Sequence, residues 1–267
     1  MADDSAHLPA SASAHSDLPD AIPAATLVIF RNAADGGVPE LLMVERAKAM
    51  AFAGGALVFP GGRIDPGDRA LGAVPPHSDF DDAAARIAAI RETVEEAGLP
   101  VALHPTPTAD ALAQLRAALH AGEPFADALA AAGTAPALDQ LVPFARWKPA
   151  HRNMRIFDTW FYLARAPEGI EATVDRTENV RLSWMRAADV LADADAGRAT
   201  IIYPTRRNLE RLALFATFDE AVAQARAHPV RVVTPWTEER GGVPHLCIPD
   251  DLGYPVTSQP TDSAFRG

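Results

Sequence analysis

Arg91-Glu92-Thr93-Val94-Glu95-Glu96-Ala97-Gly98-Leu99 sets three carboxylates and one arginine into about a turn and a half of helix, then stops at a glycine. At roughly 100° per residue, Glu92, Glu95 and Glu96 leave the helix on one face, close enough for their carboxylates to share cations. Like charges so crowded destabilise an isolated helix, and hard divalent ions such as Mg²⁺ remove the repulsion through oxygen ligands. Upstream lie Phe59-Pro60-Gly61-Gly62, Asp65 and Asp68, a glycine turn carrying more acid. A glycine loop followed by a glutamate-rich helix suits a metal-diphosphate site.

Working outward, Phe80 to Ala97 reads as one helix, with Asp81 and Asp82 at its N-terminal end and Ile87, Ile90 and Val94 along one face. Gly98 is a natural stop. Before it, Ala24–Arg31 and Glu40–Arg46 read as strands paired across the Gly36-Gly37 turn, and Leu57-Val58-Phe59 as a third. Thr108 to Ala132, bounded by Pro105, Pro107 and Pro136, is Ala- and Leu-rich with helical spacing, an insertion of one or two helices whose role is packing. Beyond it comes the strand Arg155–Ala164. Phe157, Thr159, Phe161 and Leu163 point one way; Ile156, Asp158, Trp160 and Tyr162 point the other. Asp158 needs a partner if buried, and Arg155 or Arg146 supplies it.

Glu178 to Trp184 is a further strand candidate, followed by a helix from about Ala187 to Ala196. Thr205 is expected to cap a helix over Arg206–Phe218, and short strand-like pieces follow near Val230–Thr234 and Leu246–Ile248. Arg206 and Arg207 read as a solvated helix face, and Trp147 and Trp160 as core indoles rather than adenine-stacking platforms. The strands are joined by hairpins and long connections, so the chain is α/β in the α+β sense, without regular βαβ alternation.

The chain has 267 residues, 48% hydrophobic, and a formal net charge of −11. That acidity argues against non-specific nucleic-acid binding, which needs clustered Lys and Arg. No run approaches the roughly 18 apolar residues of a membrane span, so no membrane partner is expected. Met1 to Pro23 lacks the basic start and apolar run of a signal peptide and reads as a disordered tail. A single cysteine, Cys247, excludes an intrachain disulfide, is compatible with a reducing cytoplasm, and reads as a small buried apolar residue. The eight histidines show no metal-ligand spacing.

The glycine turn and glutamate helix resemble the Nudix box, the loop-helix signature of the Nudix hydrolase family. Gly61, Gly62, Arg91, Glu92, Glu95, Glu96, Gly98 and Leu99 match it. Thr93 stands where an aliphatic residue is usual, and Asp68 where the pattern has its first Glu. Between Asp68 and Arg91 lie 22 residues, where the family has seven, a 15-residue insertion that can displace the first half of the site. Leu41-Leu42, Arg46 and Gly55-Ala-Leu-Val-Phe-Pro-Gly-Gly-Arg-Ile-Asp65 are similar to the coenzyme A diphosphatase branch. The box insertion, Trp147 with Pro149, Arg155-x-Phe-Asp-Thr159 and Pro204-Thr205 with Asn208-Leu209 look like the peroxisomal acyl-CoA-type subgroup.

The resemblance implies a mixed sheet sandwiched between helices in one domain over 24–267, with insertions at about 69–82 and 105–140. It implies a diphosphatase dependent on Mg²⁺ or Mn²⁺, in which water attacks phosphorus and splits a nucleoside diphosphate from another moiety. Coenzyme A or an acyl-CoA, cut to 3′-phospho-AMP plus (acyl-)phosphopantetheine, is the leading substrate. An ADP-ribose- or NADH-type dinucleotide, or a silent nucleotide-binding module, is the alternative. By transfer, Glu92, Glu95 and Glu96 ligate metal with the Gly61 backbone carbonyl, Arg91 orients the glutamates, and Asp68 supports the arrangement. Asp65 is read equally as a turn or N-cap acid. Glu178 is the candidate general base, weighed against a plain loop acid. The expected partner is a small molecule, and a homodimer is open to this sequence.

Overall fold

The computed structural model describes residues 20–50, 53–73, 80–149, 155–175 and 179–264. β1 (Ile22–Arg31) hairpins into β2 (Glu40–Arg46), with Phe30 opposite Leu41 and Arg31 opposite Glu40. β1 starts two residues before the expected Ala24, because Ile22 and Pro23 pair with a later strand and the Pro23 carbonyl accepts the Ile64 N–H. The rest of the expected N-terminal tail lies outside the described residues.

β3 (Leu57–Val58) and β4 (Gly61–Arg63) lead into α1 (Pro66–Gly72), then α2 (Phe80–Ala97). The expected box insertion thus supplies the last residues of α1, which packs against α2, and the first residues of α2, and 74–79 lie outside the described residues. The second insertion is β5 (Leu103–His104), α3 (Ala109–His120), α4 (Phe125–Ala132) and β6 (Ala135–Pro136), with the Thr108 hydroxyl capping α3. β7 (Val142–Trp147), β8 (Phe157–Arg165) and β9 (Asn179–Met185) follow.

Next come α5 (Ala187–Asp195), α6 (Tyr203–Leu212) and α7 (Phe218–Ala227). Here the sequence expectation is corrected. Thr205 sits inside α6 rather than capping it, because Pro204, which has no N–H to lose, suits the first turn and moves the start back to Tyr203. The expected single helix also breaks after Leu212. The capping hydroxyl belongs to Thr217, which accepts the Glu220 N–H and starts α7. The C-terminal part holds β10 (Val232–Val233), β11 (Trp236–Arg240), β12 (Val243–Cys247), β13 (Ser258–Pro260) and α8 (Thr261–Ala264).

The main sheet is mixed, in the order β10-β7-β8-β1-β2-β3, with β1 and β8 parallel over their length. Period-two alternation splits the core in two. Ala25, Leu27 and Ile29 of β1 and Tyr162 and Ala164 of β8 face α2 and the helical insertion. Val28, Phe30, Phe161 and Leu163 face α5, α6 and the C-terminal part. One edge of β1 is shared. β2 takes Phe30 and Arg31, β4 takes Ala24 to Thr26, and β2 turns away to pair with β3 and β9. α2 packs on β1 and β4 at this divergence, which sets its last turns beside the glycine pair.

Asp158 is met by Arg146 through two hydrogen bonds of 2.7 and 2.9 Å, one of the two partners expected for it. Arg207 contradicts its expected solvated face. It is 2% exposed, and its fork reaches Glu210, Gln259 and the Val256 carbonyl, because the C-terminal strands cover α6. Arg206 is largely covered too, paired with Asp195. Trp147 is buried and donates its indole N–H to the Tyr254 hydroxyl. No helix among the described residues is long and apolar enough to cross a membrane.

Candidate active site

The site is built around Arg91, four residues before Glu95 on α2 and therefore on the same helical face. Its Nη1 donates to Glu92 Oε1 at 3.0 Å and Glu95 Oε2 at 3.1 Å. Its Nε and Nη2 bond Asp68 at 3.0 and 2.9 Å, and Nη2 also reaches the Arg63 carbonyl. Arg91 thereby ties α1, α2 and the end of β4 together. Burial opposes the guanidinium charge, and the ion pairs with Asp68, Glu92 and Glu95 outweigh it, holding its pKa above the usual range.

Asp68 is 1% exposed, and besides Arg91 it accepts the Asp65 backbone N–H at 2.8 Å. Asp65 itself stands at the N-cap position of α1, with its carboxylate 3.7 Å from Arg91. The longer spacer has not displaced the first half of the motif.

Glu96 turns away from Arg91. Its Oε2 accepts the Gly61 backbone N–H at 2.9 Å, and its Oε1 accepts Asn179 Nδ2 at 3.0 Å. The Gly61 backbone therefore meets the glutamate helix through its N–H. A Cβ on the next residue, Gly62, would lie 2.3 Å from the Glu92 carboxylate and would push that side chain out of its place. Asn179, fully buried at the start of β9, had no signal in the sequence beyond being a polar residue at a strand end. Glu178 lies outside the described residues.

Burial pushes the Glu92 carboxyl up to about 8; Arg91 works against this, and Glu96 and Glu95 add to it. Burial likewise raises Glu96 to about 7 against its bonds from Asn179 and Gly61, and it raises Glu95 against Arg91. Oxygen donors whose charge is costly in their surroundings have the chemistry that a hard divalent cation suits. Among the described residues, no group of three His, Cys, Asp or Glu side chains is arranged to hold a metal ion. The Arg91 fork draws Glu92 and Glu95 one way, while Gly61 and Asn179 draw Glu96 another.

Glu92, Glu95, Gly61 and Gly62 line one end of a cavity of about 670 Å³. Its other walls carry Trp147, Ile156, Phe157, Phe161, Ile202 and Tyr203, with Arg46 and Arg155 among them. The start of α6 is brought to it by the Leu57 N–H, which bonds the Thr200 carbonyl at 2.8 Å. An acidic end joined to an apolar chamber fits a molecule with an anionic and an apolar part.

No family model matches the chain. Among solved structures, the crystal structure of a NUDIX hydrolase from Alicyclobacillus acidocaldarius is 31% identical, covering 76% of this chain and 96% of its own, with a TM-score of 0.67. An Ap4A hydrolase from C. elegans in a binary complex is 19% identical over 65% of this chain and 86% of its own, with a TM-score of 0.37. The NUDIX domain of Shewanella oneidensis NrtR complexed with ADP ribose is 14% identical over 65% and 78%, also at 0.37. These last two likenesses are too slight to carry an argument. The first spans nearly the whole of its counterpart and three quarters of this chain, with the glycine pair, Arg91 and the three glutamates assembled at one site, and on that footing the chain belongs to the Nudix hydrolase family, enzymes that act on phosphoric anhydrides.

Proposed function

We propose that the protein hydrolyses coenzyme A or an acyl-CoA to 3′-phospho-AMP plus (acyl-)phosphopantetheine, with Mg²⁺ or Mn²⁺ as cofactor. The observation that carries this reading is the cavity that joins Glu92, Glu95 and the Gly61-Gly62 edge to a wall of Trp147, Phe157, Phe161, Ile202 and Tyr203. A diphosphate suits the first end once a cation screens it, and a pantetheine or acyl arm suits the second.

In this reading Glu92, Glu95 and Glu96, with the Gly61 backbone carbonyl, would hold the metal, the cation drawing together carboxylates that stand apart without it. A divalent cation bound there supplies charge neutralisation of the diphosphate and a lowered pKa for bound water. Arg91 keeps Glu92 and Glu95 from splaying under mutual repulsion, and Asp68 holds Arg91. Gly61 and Asn179 fix the orientation of Glu96 from two sides. Arg46 and Arg155, both on the cavity, offer cationic contacts to further phosphate oxygens.

The test is a Mg²⁺- and Mn²⁺-dependent hydrolysis screen over CoA, acetyl-CoA, a long-chain acyl-CoA, ADP-ribose, NADH and diadenosine polyphosphates, with products resolved by mass. Release of 3′-phospho-AMP from the CoA compounds is expected. Cleavage of only the other compounds keeps the hydrolase and discards the CoA assignment, and no turnover with either ion points to a nucleotide-binding module.

A further inference from the structure

The helical insertion over α3 and α4, a packing element on sequence grounds, sends one side chain into the catalytic helix. Arg116 of α3 donates from Nε to the Glu95 carbonyl at 2.9 Å and from Nη2 to the Glu96 carbonyl at 3.2 Å. The same fork bonds the Thr173 carbonyl at 2.8 Å and the Thr173 hydroxyl at 2.7 Å. Thr173 in turn donates its N–H to the Ala97 carbonyl at 2.8 Å. One guanidinium therefore joins three pieces of chain: the insertion, the end of α2 and the segment leading to β9.

The last carbonyls of a helix lack intrahelical partners, and its last turn frays when nothing holds them. In α2 that last turn carries Glu95 and Glu96. Arg116 satisfies the carbonyls of both, places a positive charge at the negative end of the helix, and uses a planar fork to fix their orientation. Gly98 makes room for it. Its φ is +62°, and a Cβ there would meet the Thr173 hydroxyl at 2.8 Å and Arg116 Nη1 at 2.9 Å. The circuit closes on a glutamate side chain. Two residues past Thr173, the Asp175 carboxylate accepts the Asn179 N–H at 3.3 Å, and Asn179 Nδ2 holds Glu96.

We propose that Arg116 is a positioning residue for the metal-binding glutamates, acting on Glu95 and Glu96 through their backbone and on the Glu96 carboxylate through the Thr173–Asn179 segment. This rests on the reading of those glutamates as metal ligands. A second tie gives the control. Arg86, near the other end of α2, bonds the Leu138 and Leu141 carbonyls of the insertion's far side and touches none of the three glutamates.

The experiment is calorimetric titration of the full chain with Mn²⁺, together with amide hydrogen exchange of residues 93–98 in EDTA and steady-state kinetics. Arg116→Gln is expected to weaken Mn²⁺ binding about tenfold, within the range for residues that orient metal ligands. It should also speed exchange at 94–98 and lower kcat more than it changes KM. Arg116→Lys should recover part of each effect, and it serves alone if Arg116→Gln fails to fold. Arg86→Gln should lower the melting temperature and leave Mn²⁺ affinity unchanged. A folded Arg116 variant that binds Mn²⁺ like wild type overturns the proposal, as does an equal loss of affinity in Arg86→Gln. Wild type that binds no Mn²⁺ removes the underlying metal reading, and the proposal falls with it.

Discussion

Asp68 grips Arg91 with both carboxylate oxygens across 23 positions of chain, so the first half of the motif reaches its place despite the insertion. The shorter acid suffices because α1 packs directly on α2 and brings Asp68 to the guanidinium. Asp68→Ala would leave Arg91 buried with part of its charge unanswered, at a cost of about 3 kcal/mol, the low end for a broken buried pair because Glu92 and Glu95 remain. Chemical denaturation should show that loss together with a steep fall in turnover; a change below about 1 kcal/mol, the level of a surface pair, would mean that the pair is not load-sharing.

Glu95→Gln and Glu96→Gln should each reduce turnover on the order of 100-fold or more, as expected when a charge-stabilising group is removed. Their effects on folding should differ. Among the described residues the Glu95 carboxylate bonds the Arg91 fork alone, whereas both oxygens of Glu96 accept donors, so a glutamine there must turn its NH₂ toward the Gly61 N–H, or toward Asn179, whose amide must then flip and leave its own NH₂ without this acceptor. A facing pair of donors costs roughly 1–3 kcal/mol. Equal melting temperatures for the two variants would contradict the two-sided hold on Glu96.

Glu92 and Glu96 keep their protons in the fold at pH values where the unfolded chain has released them. Their contribution to stability without divalent cation is therefore full below the unfolded value of 4.5 and is lost as pH rises toward about 8. In EDTA, the melting temperature of wild type should fall relative to Glu92→Gln across that window, and Mg²⁺ should restore it most at the alkaline end. A difference between the two proteins that does not change with pH would show that burial does not perturb Glu92.

Ile202 lines the cavity together with Tyr203, Phe157 and Phe161. Ile202→Asp should raise KM for an acyl-CoA about tenfold, the scale of one lost hydrophobic contact, with metal affinity unchanged. Unchanged KM would place the substrate elsewhere.

Much of this was legible in the chain. The bounds of β2 and α2 follow from period and punctuation, and Asp158 signalled its need for a cation that Arg146 meets. What was not legible depended on distant partners. Arg207 looks solvated on its own helix and is buried only because β13 and its approach fold over α6. Thr205 and Thr217 are both capping residues by type, and Pro204 decides between them. Arg116 sits in an Ala-rich helix with ordinary periodicity. Nothing local shows that its fork meets a helix 20 positions upstream and a loop 57 positions downstream.

The shared edge of β1 makes catalytic geometry a matter of strand alignment. Thr26 pairs with Gly61 and Ala25 with Gly62. A slip of β4 by one residue would exchange the faces of the two glycines, aiming the Gly61 N–H away from Glu96 and offering Glu92 a different backbone surface. Small residues at Ala24 and Ala25, with no ionisable group of their own, are thus guardians of phase. Changes there would register as lost activity in a protein whose glutamates are all intact.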